Sequence, residues 1–228
     1  MSGPHFDFER EAMAGGCRFV AGVDEVGRGP LAGPVGVAAV ILDPDDLPEG
    51  LDDSKALPEA KRDALKAVIF AKAISVSVAF ASAEEIDRYN IRGATLRVMA
   101  RVVAALHIRP DLVLIDGRDV PDGLVCRGRP IIGGDALSMS IAAASIVAKT
   151  TRDALMRNLG RDFPGYGFDG HAGYATAFHR KALTSLGPCP YHRRSFRLRG
   201  EGADAVGRGD LAPTGPASEN DTTSTAPA

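Results

Sequence analysis

The run DLVLIDG at 111–117 limits the fold more than any other stretch of the chain. It is apolar at every position from Leu112 to Ile115, not at every second one, and it stops at Asp116 and Gly117. A half-exposed strand alternates apolar and polar residues. A short continuous run suits an interior strand covered on both faces. A sheet covered in this way belongs to an α/β fold.

The rest of the chain agrees with mixed α/β. Residues 18–23 and 35–42 are β-prone runs on either side of the turn GRGPLAGP. Pro58 opens a predicted helix to about residue 70, with proline in the first turn. Residues 73–81 alternate as a strand does. Asn90 is an expected N-cap for a helix to about residue 107, which Pro110 cannot continue. A short strand is expected at 130–132 and a long helix at 137–159, whose IAAASIVA segment is small enough to pack closely on a sheet. A loop dense in glycine and aromatics, FPGYGFDGHAGYAT, precedes a last helix at 176–186.

Three segments are expected. Residues 1–17 read as a loose lead-in with Phe6 and Phe8 as anchors. Residues 18–199 read as the folded domain. From 200 to 228 the chain is Gly, Ala, Pro, Ser, Thr and acids without an aromatic, the composition of a disordered acidic tail. No run approaches the ~18 apolar residues of a membrane span. The N-terminal sequence is acidic where a secretory signal needs a basic and then an apolar stretch, so a cytoplasmic protein is expected. Cys17, Cys126 and Cys189 are too scattered for a disulfide framework or a zinc site.

The acids carry the chemistry. Asp24 and Glu25 end an apolar strand and run straight into Gly27-Arg28-Gly29, a turn whose N–H groups can meet phosphate or hydroxyl oxygens. Asp116 ends the interior strand, and Asp135 precedes the long helix. Each has an ordinary alternative: a solvated turn for the first three, an N-cap for Asp135. Together they would bring about −4 into one place, which needs cations. Oxygen-only donors suit Mg²⁺ or Mn²⁺. Two such ions roughly 3.5–4 Å apart are the arrangement for in-line attack on a phosphodiester. One geometric difficulty is visible. Neighbours in a regular strand face opposite ways, so Asp24 and Glu25 share a site only if the strand bends or ends there.

Lys55, Lys149, Arg152 and Tyr174, with His192, Arg193, Arg194, Arg197 and Arg199, form a basic and aromatic set of the kind that grips a nucleic-acid backbone and stacks on its rings. Singly, each is as well explained by a solvated face or the core. Asp153 stands four residues after Lys149, and a helical ion pair between them is the simpler expectation.

Taken in order, GVDEVGRGPLAGPV, DSK at 53–55, YNIRGAT, IDG at 115–117, GGDALSMSIAAASIVAKTTRD, YGFDGHAGY and GPCPYHRRSF resemble the ribonuclease HII family over about residues 18–198. The resemblance implies an RNase H-like fold, a mixed β-sheet flanked by helices with a small helical C-terminal part. It implies a metal-dependent endoribonuclease that cuts the RNA strand of RNA/DNA hybrids. It also implies incision 5′ of single ribonucleotides in duplex DNA, leaving 5′-phosphate and 3′-hydroxyl ends. Asp24, Glu25, Asp116 and Asp135 would be the metal-binding acids. Gly27, Arg28 and Gly29 would read the ribose 2′-OH, Tyr174 would stack on the next sugar, and Lys55 and Lys149 would meet phosphates. Ala172 and Ala56 stand where the family often has lysine. A monomer is expected, with any sliding-clamp partner left open. A DNA-directed nuclease of the same fold and a non-catalytic hybrid-binding module are the rival readings.

The net charge of −2 conceals a division. Residues 200–228 hold five acids and one base, a net −4, so the remainder is +2. Without the four candidate ligands the remainder is +6, which suits a polyanionic partner.

Overall fold

The computed structural model describes residues 3–52, 54, 55 and 57–196. The expected acidic tail, Arg197 and Arg199 lie outside the described residues. Five strands form one mixed sheet in the order β3-β2-β1-β4-β5. They are β1 (Val20–Val26), β2 (Val35–Ile41), β3 (Ser75–Ala81), β4 (Leu112–Asp116) and β5 (Arg127–Ile131). β1 pairs antiparallel with β2 and parallel with β4, so it lies at the centre. β4 occupies an interior position, as its continuous apolar run predicts.

Both faces of the sheet are covered. On one, Ala21, Val23, Val37, Val113 and Ile115 pack with Val98, Val102 and their neighbours on α3 (Ala83–Ala104). On the other, Ala38 and Val40 pack with α2 (Glu59–Lys72) and α4 (Met139–Asp162). The small residues of α4 matter here. A Cβ built on Gly22 of β1 would lie 2.1 Å from the carbonyl carbon of Ser140. The helix backbone therefore rests directly on the strand backbone, an approach that only glycine permits. Among the described residues no helix is long and apolar enough to cross a membrane.

Three expectations change. Residues 7–14 are not a loose lead-in but a helix, α1 (Asp7–Ala14), anchored by buried Phe6. Its Glu9 is buried and accepts hydrogen bonds from the Ser138 hydroxyl at 2.6 Å and the Ser140 N–H at 2.9 Å. It thereby satisfies donors at the start of α4 that have no partner within the helix. A buried glutamate has no signature in sequence, because only the fold reveals its donors. The helix expected from Asn90 begins at Ala83, where Ser82 and Glu85 form a capping box. It kinks at Asn90 (φ 56°), whose Oδ1 accepts from the Gly93 N–H at 3.0 Å, so Asn90 does cap the second half. The strand expected at 130–132 is β5, which starts at Arg127.

Beyond α4, a short helix α5 (Phe168–His171) and α6 (Ala177–Leu186) form the small helical C-terminal part. They close around Met156, Leu159, Tyr166 and Phe168.

Candidate active site

The carboxyl ends of the parallel neighbours β1 and β4 bring Asp24 and Asp116 side by side. The turn before α4 adds Asp135. Carboxylate oxygens of these three acids lie within 4.8 Å of one another. Side-chain parity explains the pairing: Gly22 and Asp24 face α4, as do Leu114 and Asp116.

Glu25 stands apart from this triad. β1 neither bends nor ends at Glu25, but continues in register to Val26 opposite Gly36. Glu25 therefore faces the α3 side, where its Oε1 meets Arg28 Nη1 at 3.2 Å. It lines a cavity of about 140 Å³ with Arg28, Arg92, Asp116 and Asp119. The geometric difficulty seen in the sequence is real. Glu25 nevertheless borders the triad, since it lines the same cavity as Asp116 and the charge of Asp116 raises it.

Electrostatics mark the cluster as unfinished. Asp24 is 4% exposed, and burial, then Glu25 and Asp116, raise its pKa well above the usual carboxylate range. Hydrogen bonds from the Ser145 hydroxyl and the Glu25 N–H, the latter 2.7 Å long, oppose that shift. Burial also raises Glu25, against the pull of Arg28. Asp116 is raised by burial and by Asp135, although the Gly134 N–H donates to its Oδ1 at 2.7 Å. Asp24 and Asp116 resist joint ionisation, and with Asp135 they offer carboxylate oxygens with no soft or nitrogen ligand among them, a set that suits a hard divalent cation.

Ser145 is a participant that the sequence concealed. It sits in the apolar IAAASIVA segment and bonds to Asp24 on one side and to Ser54 Oγ, 2.9 Å away, on the other. A hydroxyl has one proton, so when Ser145 donates to ionised Asp24, Ser54 must donate to Ser145. A lone polar residue at helical spacing on a buried face was the only signal available.

The other expected site residues divide. Lys55 Nζ is 3.1 Å from Asp135 Oδ2, at the edge of the triad. Lys149 pairs with Asp153 at 2.7 Å, the simpler expectation. Tyr174 is 49% exposed and adjoins the Gly27-Arg28-Gly29 turn, since a Cβ on Gly29 would lie 3.7 Å from Tyr174 Cε1. The backbone N–H groups of Leu31 and Ala32 both donate to Gly173 O and tie the two loops together.

Part of the basic set does not face a partner at all. Arg152 and Arg193 are 1% and 3% exposed. Their guanidinium groups donate to backbone carbonyls of the 27–34 loop. His192 is buried beside His179, and burial, then that neighbour, push it down to about 4, so it is neutral at pH 7. For Arg152, Arg193 and His192 the core reading, open for each residue taken singly, is the one the fold adopts, because sequence alone does not separate a buried guanidinium or imidazole from an exposed one.

A family model described as Ribonuclease HII matches residues 21–199. A Ribonuclease HII from Brucella ovis is 55% identical over 194 residues, covering 85% of this chain and 88% of that protein. A solved structure of the PCNA:RNase HII complex from Archaeoglobus fulgidus superposes with a TM-score of 0.69 at 27% identity. It covers 81% of this chain and 98% of that one. The ribonuclease H2 of Pyrococcus horikoshii gives 0.68 at 25% identity, covering 78% and 93%.

Proposed function

The chain belongs to the ribonuclease HII family, and from that premise we propose which of its residues perform the reaction. It is a metal-dependent endoribonuclease. Its substrates are the RNA strand of RNA/DNA hybrids and single ribonucleotides in duplex DNA, cut on the 5′ side. Asp24, Asp116 and Asp135 hold the divalent cations, Mg²⁺ or Mn²⁺, and Glu25 completes the set from the α3 side. The observation that carries this reading is the convergence of three carboxylates within 4.8 Å beside an exposed tyrosine and a glycine turn.

When bound, the cations would supply Lewis-acid charge at the phosphate and a more acidic water. The protein's own residues do the rest. Ser145 and the Glu25 N–H hold Asp24 in one orientation, and the Gly134 N–H does the same for Asp116. Gly27, Arg28 and Gly29 present backbone to the ribose 2′-OH, the group that separates RNA from DNA at one nucleotide. Tyr174 offers its face to the neighbouring sugar. Lys55, at the edge of the triad, is placed to meet a phosphate. Lys149 acts there only if it leaves Asp153.

The test is to map the cut on a duplex with one ribonucleotide, with Mg²⁺ and with EDTA. Cleavage 5′ of the ribonucleotide, lost with EDTA and absent on an all-DNA duplex, is expected. Equal cleavage of all-DNA duplex would instead identify a DNA-directed nuclease.

The two glycines of the turn should respond differently. Gly27 has φ +85°, and a Cβ there would lie 2.1 Å from Arg152 Nε, so Gly27→Ala should lower stability by about 1–3 kcal/mol. Gly29 has ordinary space, with its nearest neighbour at 3.7 Å. Gly29→Ala should keep the wild-type unfolding midpoint yet obstruct the 2′-OH, reducing kcat/KM about tenfold, the value of one good hydrogen bond. A destabilised Gly29→Ala in thermal melts would contradict the open space seen around it.

A further inference from the structure

The Gly27-Arg28-Gly29 turn does not hold its own shape. Its carbonyls are gripped from below by Arg193, which arrives from the far end of the described chain. Arg193 Nη2 donates to Gly27 O at 2.6 Å and Gly33 O at 2.8 Å, Nη1 to Arg28 O at 2.9 Å, and Nε to Gly33 O at 3.0 Å. The Phe196 ring lies 5.0 Å from the guanidinium carbon. Asp87 anchors the following residues, accepting from the Arg194 and Ser195 N–H groups at 2.9 Å. Among the described residues Arg193 makes no salt bridge. Its charge is spent wholly on backbone carbonyls.

A buried cation without a counter-ion is costly, and an apolar residue of similar volume would leave three carbonyls unsatisfied. What the arrangement provides is orientation. In a planar trans peptide the C=O and the following N–H point in opposite directions. Drawing Gly27 O and Arg28 O toward Arg193 therefore turns the N–H groups of Arg28 and Gly29 away from it. Among the described residues neither N–H donates to another protein group.

We propose that Arg193 is the positioning residue that sets the facing of these two peptides, and so determines how sharply the enzyme distinguishes a ribonucleotide from an analogue lacking the 2′-OH at the cut site. The inference rests on the reading of the turn given above. A planar fork is needed, because three carbonyls are reached from one group at once. The Lys ammonium is a compact point on a flexible stem and cannot hold all three.

The experiment compares full-length wild type, Arg193→Lys, Phe196→Leu, Gly29→Ala and the unrelated core variant Ile69→Val. The substrates are two duplexes that differ only in ribo or 2′-fluoro at the cut-site nucleotide. The readouts are kcat and KM separately, with melting curves for each protein. Arg193→Lys should reduce kcat/KM for the ribonucleotide about tenfold, mainly in kcat, and leave the 2′-fluoro duplex within about twofold. Phe196→Leu keeps the guanidinium but removes the ring beside it, so it should show a smaller change in the same direction, even if Arg193→Lys fails to fold. Unchanged discrimination in folded Arg193→Lys, or in Phe196→Leu when only that variant folds, would overturn the proposal. So would an equal loss in Ile69→Val, which would mark the effect as general destabilisation. If Gly29→Ala loses discrimination and the Arg193 and Phe196 variants keep it, only the role of Arg193 fails. If Gly29→Ala also keeps it, the reading of the turn fails with it.

Discussion

Asp24→Asn should abolish cleavage, by about 10³-fold or more, and at the same time stabilise the metal-free protein at neutral pH. The activity loss follows from removing a charged ligand from a three-carboxylate cluster, where several kcal/mol of charge stabilisation depend on the bound cation. The gain in stability follows from the direction of the pKa shift. Burial, Glu25 and Asp116 all raise Asp24. Folded protein therefore holds a proton that the unfolded chain has already released above its ordinary pKa of about 4. Wherever the native state binds more protons, stability falls as pH rises. The penalty begins near the unfolded pKa and is complete above the raised native one, so Asp24 weakens the metal-free fold at neutral pH. Asparagine keeps the shape and an acceptor for Ser145 without the charge. In a chain of this size a relief of about 1 kcal/mol would raise the melting temperature by about 2–4 °C.

The difference between variant and wild-type melting temperatures should grow from pH 4 upward and vanish in acid. Other carboxylates, such as Asp111 and Asp87, are lowered by the N–H groups they accept from and follow the opposite rule, but they cancel in that difference. Saturating Mg²⁺ should reverse the order, because a cation that binds only the folded wild type stabilises it by mass action. A melting temperature for Asp24→Asn below wild type in EDTA at pH 7 would contradict the uncompensated charge.

Gly22→Ala should be among the most damaging small substitutions in the fold, costing about 3 kcal/mol or more. The added methyl would lie 2.1 Å from Ser140 C and 2.3 Å from Ile141 N, which are helix backbone atoms that no rotamer change can move. Either α4 lifts off β1 or the strand bows away. Both open the layer between them and separate Ser145 from Asp24. Gly128→Ala is the control. Its Cβ would approach Val120 Cγ1 at 2.7 Å and Leu124 Cδ1 at 2.9 Å, the ends of side chains that can turn aside. Urea unfolding followed by circular dichroism should show a much lower midpoint for Gly22→Ala than for Gly128→Ala. Similar midpoints would mean that α4 can slide on the sheet.

Much of the architecture was legible because it depends on local pattern. The apolar run ending at Asp116 and the small residues of α4 each announce their burial, and the alternation through Ser75–Ala81 announces a strand. Asn90 was legible as a cap but not as a kink, since the capping box at Ser82 extends the helix behind it. Phe6 was legible as an anchor of the lead-in, but the helix it starts was not, because Glu9 holds α1 through donors at Ser138 and Ser140 about 130 residues distant.

The sequence by itself determined the layers, the candidate acids and the glycine turn, because periodicity and motif spacing act over a few residues. Only the tertiary structure decided which acids meet. Parallel pairing of β1 with β4 put Asp24, Asp116 and Asp135 together, while uninterrupted pleating through Val26 sent Glu25 to the other face. It also decided the fate of the arginines. Arg152 and Arg193 carry the same charge as any exposed arginine, and whether that charge meets a phosphate or a backbone carbonyl depends on packing between residues far apart in the chain.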